Sequence, residues 1–327
     1  MDSEELTDEA ETTTLEKMEE SSLPAPHSSV SPALAELLSL PASALKKRFL
    51  DEGAALPRGL LAAFEQDERR AVRELAKKIR ARRSKNFKEA QRLRKILRFE
   101  TELWNEGFER IAGVDEAGMA PLAGPVVAAA VILPKGYKLA GLNDSKKIMD
   151  SVKREQMAAQ IKRDALAWAV GYAEVDDIDR LNIYHAGLLA MRRSVEALNV
   201  APDFLLVDAR KIPDCPCPQR GIIRGDTLSA SIAAASIIAK TTRDAVMREL
   251  DRHFPGYGLA SHKGYPTPEH CRALKELGAL PIHRRSFSRV REVLGLDPVQ
   301  TELFDKEEEP EAEEMPATKE SAMSTNN

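Results

Sequence analysis

The chain has few cysteines and lacks the phosphate loop of nucleotide-hydrolysing enzymes. Three cysteines in 327 residues argue against a disulfide framework and against a four-cysteine zinc site. No G-x-x-x-x-G-K-[ST] loop occurs, so nucleotide hydrolysis has no support. The acidic first residues do not have the basic-then-apolar order of a signal peptide. The one long uncharged run, residues 117–134, is interrupted by Pro121, Gly124 and Pro125. We therefore expect a cytoplasmic protein without a membrane segment.

Charge is distributed unevenly along the chain, although the formal net charge is only −4. Residues 1–30 contain nine acids and one base, and residues 305–327 contain eight acids and two bases. Residues 69–98, in contrast, contain fourteen Arg or Lys and only two acids, Glu74 and Glu89. A solvated helix face is the simpler interpretation, but pairing along a helix does not account for charge of one sign. The segment therefore predicts contact with a polyanion such as nucleic acid.

Composition and apolar spacing divide the chain into four parts. Residues 1–30 and 298–327 have little to bury, which predicts disordered acidic tails. Residues 31–108 place apolar residues at helical spacing and form a predicted basic helical extension. Residues 109–297 alternate short apolar strands with helices, the pattern of an α/β domain. Strands are predicted at 110–114, 126–133, 165–175, 204–207 and 221–224, and helices at 151–163, 180–198, 228–253 and 269–277.

Four acids each follow an apolar strand: Asp115, Glu116, Asp208 and Asp226. A carboxylate in this position is costly unless a cation shares the site. Carboxylates without His or Cys suit hard ions, so we expect Mg²⁺ or Mn²⁺. Because neighbouring side chains of a strand point to opposite faces, Asp115 and Glu116 can share one site only if the strand ends or bulges there. Asp226, in Gly-Asp-Thr before a helix, fits an N-cap equally well.

Residues 109–290 resemble bacterial ribonuclease HII in six stretches that occur in the family's order. These are GVDEAG at 113–118, PLAGPVV at 121–127, LNDSKK at 142–147, IAAASIIAK at 232–240, KGYPT at 263–267 and HRRSF at 283–287. The resemblance implies a ribonuclease H-like fold, with a mixed five-stranded sheet flanked by helices. It also places the family's metal-binding acids on the same four residues.

The implied activity is that of an endonuclease. It would hydrolyse the RNA strand of RNA:DNA hybrids and cut at ribonucleotides embedded in duplex DNA. Two metal ions would serve the reaction and leave 5'-phosphate and 3'-hydroxyl ends. A non-catalytic RNA:DNA hybrid-binding protein is the alternative. A DNA-only nuclease on the same fold has no matching motif.

The resemblance assigns recognition of the ribose 2'-hydroxyl to a Gly-Arg-Gly sequence and a tyrosine. Gly118, Met119 and Ala120 stand where Gly-Arg-Gly is expected, so a cation is lost and a methyl group is added; the tyrosine is Tyr265. This departure puts single-ribonucleotide recognition in doubt more than the cutting chemistry. The predicted phosphate contacts are Ser145, Lys146, Lys147, Lys240, Arg243 and the 284–286 run.

A short motif follows the α/β domain. Gln300, Leu303 and Phe304 belong to a sequence that resembles the Gln-x-x-Leu-Phe peptides that bind the bacterial sliding clamp. Leu303 and Phe304 would insert into an apolar pocket. An ordinary tail segment is an equally good interpretation, because five-residue motifs are common by chance.

Overall fold

The computed structural model describes residues 32–297. The chain forms two compact units that divide between Arg92 and Leu93. No helix within the described range is long and apolar enough to cross a membrane. The boundaries of the four predicted segments stay a prediction.

The first unit is helical. Its helices are α1 (Pro32–Ser39), α2 (Ala42–Lys46), a π-helical turn (Lys47–Asp51), α3 (Leu60–Gln66) and the start of α4 (Arg70–Ile96). Its core consists of Leu45, Phe49, Leu60, Phe64, Val72, Leu75, Ala76 and Ile79. In the first unit, the apolar residues of α4 are therefore buried as far as Ile79. Residues 81–88, which follow it, are all exposed.

The second unit is built on a mixed five-stranded sheet, as predicted. Its strands are β1 (Ile111–Ala117), β2 (Val126–Ile132), β3 (Ala167–Ala173), β4 (Phe204–Asp208) and β5 (Gln219–Ile222), in the order β3-β2-β1-β4-β5. β2 is antiparallel to both β1 and β3, whereas β4 is parallel to both β1 and β5.

The remaining elements of this unit are mainly helices. They are α5 (Arg98–Asn105), a 3₁₀ turn (Ser145–Lys147), α6 (Ser151–Asp164), α7 (Val175–Leu181), α8 (Ile183–Glu196), α9 (Gly225–Leu228), α10 (Ala230–His253), α11 (Leu259–His262), α12 (Pro268–Leu277) and α13 (Ser288–Val293).

Helices cover both faces of the sheet. Ala129 and Val131 of β2 pack in the cluster that contains α10, and Ala128 and Ala130 pack in the cluster that contains α8. Alternate residues of β2 thus face opposite layers, which explains why all seven are buried. At Gly113, a Cβ atom would collide with the backbone of α10, so only glycine allows this helix to lie against β1.

Several element boundaries differ from the predicted ones; β3 is shorter than 165–175 at both ends, and β5 begins and ends two residues before 221–224. The predicted helix at 180–198 is interrupted at Asn182, whose φ of 69° ends α7 and whose side chain accepts from His185 N–H to begin α8. The predicted helix at 228–253 is divided by Ser229, which caps α10 through Ile232 N–H. β1 continues to Ala117, three residues beyond the predicted end.

Candidate active site

Asp115 and Glu116 lie inside β1, beyond the point where its pairing with β4 ends. The last β1–β4 pair is Val114 with Val207, but both acids continue the regular pairing with β2. The expectation that the strand ends or bulges at these acids is therefore wrong. Their side chains leave opposite faces of β1, at an edge that β4 no longer covers.

Asp208 and Asp226 come from neighbouring segments. Asp208 is the last residue of β4, and its Oδ1 accepts from Gly225 N–H at 2.7 Å. Asp226 lies in the short helix α9, whose N-cap is Arg224, so Asp226 is not the capping residue. Its buried carboxyl group is hydrogen-bonded to that of Asp144. The sequence pattern predicts no role for Asp144, although this residue lies in the LNDSKK stretch at 142–147.

Burial raises the pKa of all four carboxyl groups, and repulsion from neighbouring carboxylates adds to this for Asp115, Glu116 and Asp226. For Asp115, burial raises the pKa most, and the charges of Glu116 and Asp208 add to it. Burial also raises the pKa of Glu116, which the Arg210 charge opposes, and that of Asp208, which the Gly225 N–H opposes. Burial, followed by the Asp144 and Asp208 charges, raises the pKa of Asp226 to about 6. Each ionised group would thus be stabilised by a nearby cation.

The donor set suits a hard divalent ion. All four side chains offer oxygen, and Glu116 Oε2 is buried without a hydrogen-bond partner. Even so, the described residues contain no group of three or more acids, histidines or cysteines already arranged to hold an ion. The hydrogen bond between the Asp226 and Asp144 carboxyl groups would have to be exchanged for a metal bond, whereas Asp208 can keep its bond from Gly225 N–H and still offer a free oxygen. The residues fit a divalent metal, but in this conformation they do not form a finished site.

The 3₁₀ turn places a cation, Lys146, near the acids, and Ser145 of the same turn begins a chain of hydrogen bonds to Asp115. Lys146 Nζ lies 3.9 Å from Asp226 Oδ2. Burial lowers the pKa of Lys146, but nearby carboxylates, Asp115 foremost, outweigh burial and raise it. Ser145 is buried, with its hydroxyl 2.9 Å from that of Ser236, which in turn bonds the Asp115 carboxylate. Ser145 thus orients Asp115 through Ser236 and is not exposed for the predicted phosphate contact.

The loop at Gly118, Met119 and Ala120 is fixed by Arg284. This arginine is fully buried, and its guanidinium donates to the carbonyls of Gly118, Met119 and Gly124 at 2.6–3.0 Å. Met119 is half-buried and packs against the α8 side of the core, and Ala120 is exposed. Arg284 is therefore a structural clamp, and the predicted phosphate contact is wrong for this residue.

Arg243 also holds backbone carbonyl groups in place, and Lys240 forms an ion pair with Asp244. The buried Arg243 guanidinium donates to the carbonyls of Ala123, Pro125 and Lys263, so its predicted phosphate contact is also wrong. Lys240 Nζ lies 2.6 Å from Asp244 Oδ1, in a polar pocket of about 290 Å³. Lys240 is thus placed with Asp244 and not with the four acids.

Tyr265 is 40% exposed on a turn that two buried histidines hold. His270 Nδ1 lies 2.9 Å from the Tyr265 carbonyl, so this nitrogen carries the proton. His270 Nε2 must then accept from His283 Nε2–H, at 3.1 Å, and His283 Nδ1 accepts from Leu280 N–H. Both rings are therefore neutral, and burial lowers both pKa values, that of His283 to about 4.

The sheet order and the helices on both faces of the sheet define a fold of the ribonuclease H-like class. The sequence model described as "Ribonuclease HII" matches residues 112–290, and "Ribonuclease HII N-terminal domain" matches residues 43–104. The chain belongs to the ribonuclease HII family. It is an endoribonuclease, and its family acts on RNA:DNA hybrids with divalent metal ions.

Two relatives from other bacteria support this assignment. Ribonuclease HII of Myxococcus xanthus is 63% identical over 275 residues, which cover 82% of this chain and 94% of that protein. Ribonuclease HII of Anaeromyxobacter is 57% identical and covers 82% and 85% of the two chains. Among solved structures, ribonuclease H2 of Pyrococcus horikoshii has a TM-score of 0.47 and 23% identity, covering 56% of this chain and 96% of that one.

Proposed function

We propose that this protein hydrolyses the RNA strand of RNA:DNA hybrids in the cytoplasm and also cuts at single ribonucleotides embedded in duplex DNA. Asp115, Glu116, Asp208 and Asp226 would hold two divalent ions, Mg²⁺ or Mn²⁺. The observation that carries the proposal is that buried and half-buried carboxyl groups on β1, at the end of β4 and in the adjoining helix α9 lie close enough to repel one another. Burial raises the pKa of each of the four carboxyl groups, and Glu116 Oε2 has no hydrogen-bond partner.

The ions, when bound, would activate water for attack on phosphorus and stabilise the departing 3'-oxygen, which leaves 5'-phosphate and 3'-hydroxyl ends. The chain's own contribution is to hold the carboxylates in place. Ser236 and the Glu116 N–H hold Asp115, and the Gly225 N–H holds Asp208. Such supporting bonds keep ligands oriented before an ion arrives. Lys146 balances the charge beside Asp226 and is exposed enough to meet a phosphate.

Selection of ribonucleotides would fall to Tyr265 and the loop at Gly118, Met119 and Ala120. The phenol of Tyr265 is accessible, and its backbone is held by His270. The carbonyls of Gly118 and Met119 already accept from Arg284, and each retains a second lone pair. A ribose hydroxyl could donate to such an oxygen, whereas a deoxyribose has no hydroxyl to donate.

The test uses three labelled duplexes: a continuous RNA:DNA hybrid, a DNA duplex with one ribonucleotide, and an all-DNA duplex. Each is incubated with Mg²⁺, Mn²⁺ or EDTA, with Asp115→Asn as the control. We expect metal-dependent cleavage of the first two, lost in the variant. Cleavage of the hybrid alone would remove the single-ribonucleotide part of the proposal. Binding of the hybrid without cleavage would favour the non-catalytic alternative, and cleavage of all-DNA duplex would favour a DNA nuclease.

Two further contacts belong to the proposal. Residues 81–88 of α4 are exposed on every side and include Arg82, Arg83, Lys85 and Lys88, which favours contact with duplex phosphates.

Gln300, Leu303 and Phe304 lie outside the described residues, and their binding to the sliding clamp stays a prediction. A pull-down with purified clamp tests it. We expect Leu303→Ala and Phe304→Ala to lose binding, and equal recovery of all three proteins, or of none, would reject it.

A further inference from the structure

Arg210 lies beside Glu116, whereas Arg243 and Arg284 lie against the loop that follows it, and the three arginines differ in how their donors are used. The N–H groups of Arg243 and Arg284 are satisfied by backbone carbonyls. Arg210, two residues after Asp208, donates no hydrogen bond to any residue of the range 32–297. Its Nη1 is buried without a partner, and its Nη2 lies 3.6 Å from Glu116 Oε1. Buried donors without a partner are uncommon in native proteins, so this guanidinium calls for a functional explanation.

The backbone fixes the position of Arg210. Ala209 adopts a φ of 52°, an uncommon left-handed conformation for a residue with a Cβ atom, and its N–H donates to the Ile222 carbonyl. The carbonyl of Arg210 lies so close to β5 that a Cβ on Gly221 would be 2.8 Å from it. The turn after β4 is therefore held tightly in place. Arg210 lies two residues after Asp208, and this turn places it beside Glu116.

The side chain is also held in place. The Arg210 guanidinium lies 5.0 Å from the centre of the Tyr184 ring. On α8, a Cβ at Gly187 would be 2.8 Å from Arg210 Nη1 and 3.0 Å from Met119 Sδ. The absence of a side chain at Gly187 therefore makes room for the guanidinium and Met119 together. The Arg210 side chain is 20% exposed, so part of it remains open to a ligand.

The charges around Arg210 indicate which ligand it takes. Glu116 Oε1 forms an ion pair with Arg210 Nη2 at 3.6 Å, a separation too long for a hydrogen bond, and Arg210 Nη1 and Glu116 Oε2 have no hydrogen-bond partner. A planar guanidinium with free donors matches two oxygens of a phosphate group.

We propose that Arg210 binds a backbone phosphate of the nucleic acid on the Glu116 side of the site and so positions the strand for cleavage. This inference rests on the proposed function and adds a binding residue to it. The Tyr184 ring lies 5.0 Å from the guanidinium and Met119 lies near it beside Gly187, so the phosphate would approach from the side of Glu116.

The first test measures binding without cleavage. The affinity of Arg210→Gln for a labelled RNA:DNA hybrid is titrated in EDTA at several salt concentrations. We expect a Kd about tenfold higher than that of the wild type, and a salt slope smaller by about one. Arg192→Gln, which removes the same charge from a side chain paired with Glu196 on α8, should leave both quantities unchanged. A wild-type Kd and slope for Arg210→Gln would overturn the inference.

A second measurement separates binding from folding. Arg210→Lys keeps the charge but loses the planar pair of donors, so it should retain the wild-type salt slope with a Kd raised about threefold. This variant decides the question if Arg210→Gln does not fold, and an unchanged Kd would then contradict the inference. In steady-state cleavage we expect a higher KM with little change in kcat, because a positioning phosphate contact exists before and during the reaction.

The two proposals fail in distinguishable ways. If the wild type cleaves hybrid but Arg210→Gln binds it normally, only the role of Arg210 is refuted. If the wild type cleaves no duplex in any metal, the proposed function itself fails.

Discussion

The buried pair His270–His283 makes the second unit sensitive to acid, and the size of the effect follows from the structure. His283 is fully buried, and burial, together with the neighbouring His270, lowers its pKa from 6.5 to about 4. Between these two values the unfolded chain binds a proton at this histidine that the folded chain does not. Acidification through this range therefore favours unfolding, and the stability is complete only above pH 6.5.

The effect corresponds to one extra proton bound by the unfolded chain over about 2.5 pH units. At about 1.4 kcal/mol for each unit, the free energy of unfolding should fall by about 3 kcal/mol between pH 6.5 and pH 4 because of this residue. The groups that face the ring do not offset this loss. His270 and the Tyr257 ring are neutral neighbours, and no carboxylate among the described residues is paired with His283.

The assay is urea unfolding between pH 5.0 and 7.5. It is followed by the fluorescence of Trp104 and Trp168, the chain's two tryptophans, both in the second unit. His283→Gln should reduce the pH slope of the free energy of unfolding by nearly one proton. His253→Gln changes a histidine whose side chain is 65% exposed and should leave the slope as it is. An unchanged slope in His283→Gln would refute the reasoning that burial keeps this ring neutral.

Three further predictions concern the acids and the basic helix. Asp115→Asn should abolish cleavage. In the absence of metal it should also raise the free energy of unfolding by about 1–2 kcal/mol, because it removes a buried charge that its neighbours repel. Asp203→Asn is the control: it loses an acceptor of backbone hydrogen bonds and should lower the free energy of unfolding in the same urea assay. Glu100→Ala should destabilise the second unit by about 2–4 kcal/mol, since Glu100 accepts three hydrogen bonds from Ser229 and Ser231; an effect below 1 kcal/mol would argue against it. Replacing Arg82, Arg83, Lys85 and Lys88 by Gln should weaken hybrid binding and flatten its salt dependence without altering thermal unfolding, and an unchanged salt slope would exclude contact by α4.

The sequence predicted the sheet well because its strands are apolar and short. Four of the five strands lie at predicted apolar runs, whereas β5 (Gln219–Ile222) begins two residues before the predicted 221–224 and has only Ile222 buried; the mixed arrangement is confirmed. The errors fall where one residue's conformation decides the outcome. Asn182 and Ser229 divide helices whose apolar spacing continues across them, and spacing alone cannot report a φ of 69° or a side-chain cap.

The site was harder to predict than the fold, because the roles of charged residues depend on what lies opposite them. Arg243 and Arg284 were predicted to meet phosphates, since exposed arginines near a nuclease site commonly do. Both are buried under the loops that they hold. Asp144 and Arg210 had no predicted role, because their contacts with Asp226 and Glu116 join segments far apart in the chain.

The arrangement of the arginines explains how a loop without its own cation can remain in place beside the acids. Arg284 donates to the carbonyls of Gly118 and Met119, so the path of this loop depends on backbone oxygens that every residue type provides. The side chain at position 119 is consequently free to vary, and Met119 packs over Gly187 beside Arg210. A positive charge is still present at this end of the site, because β4 and the left-handed Ala209 deliver Arg210 there. Loop position and local charge are thus supplied by different residues, so the loss of a cation from the loop does not by itself remove the positive charge beside Glu116.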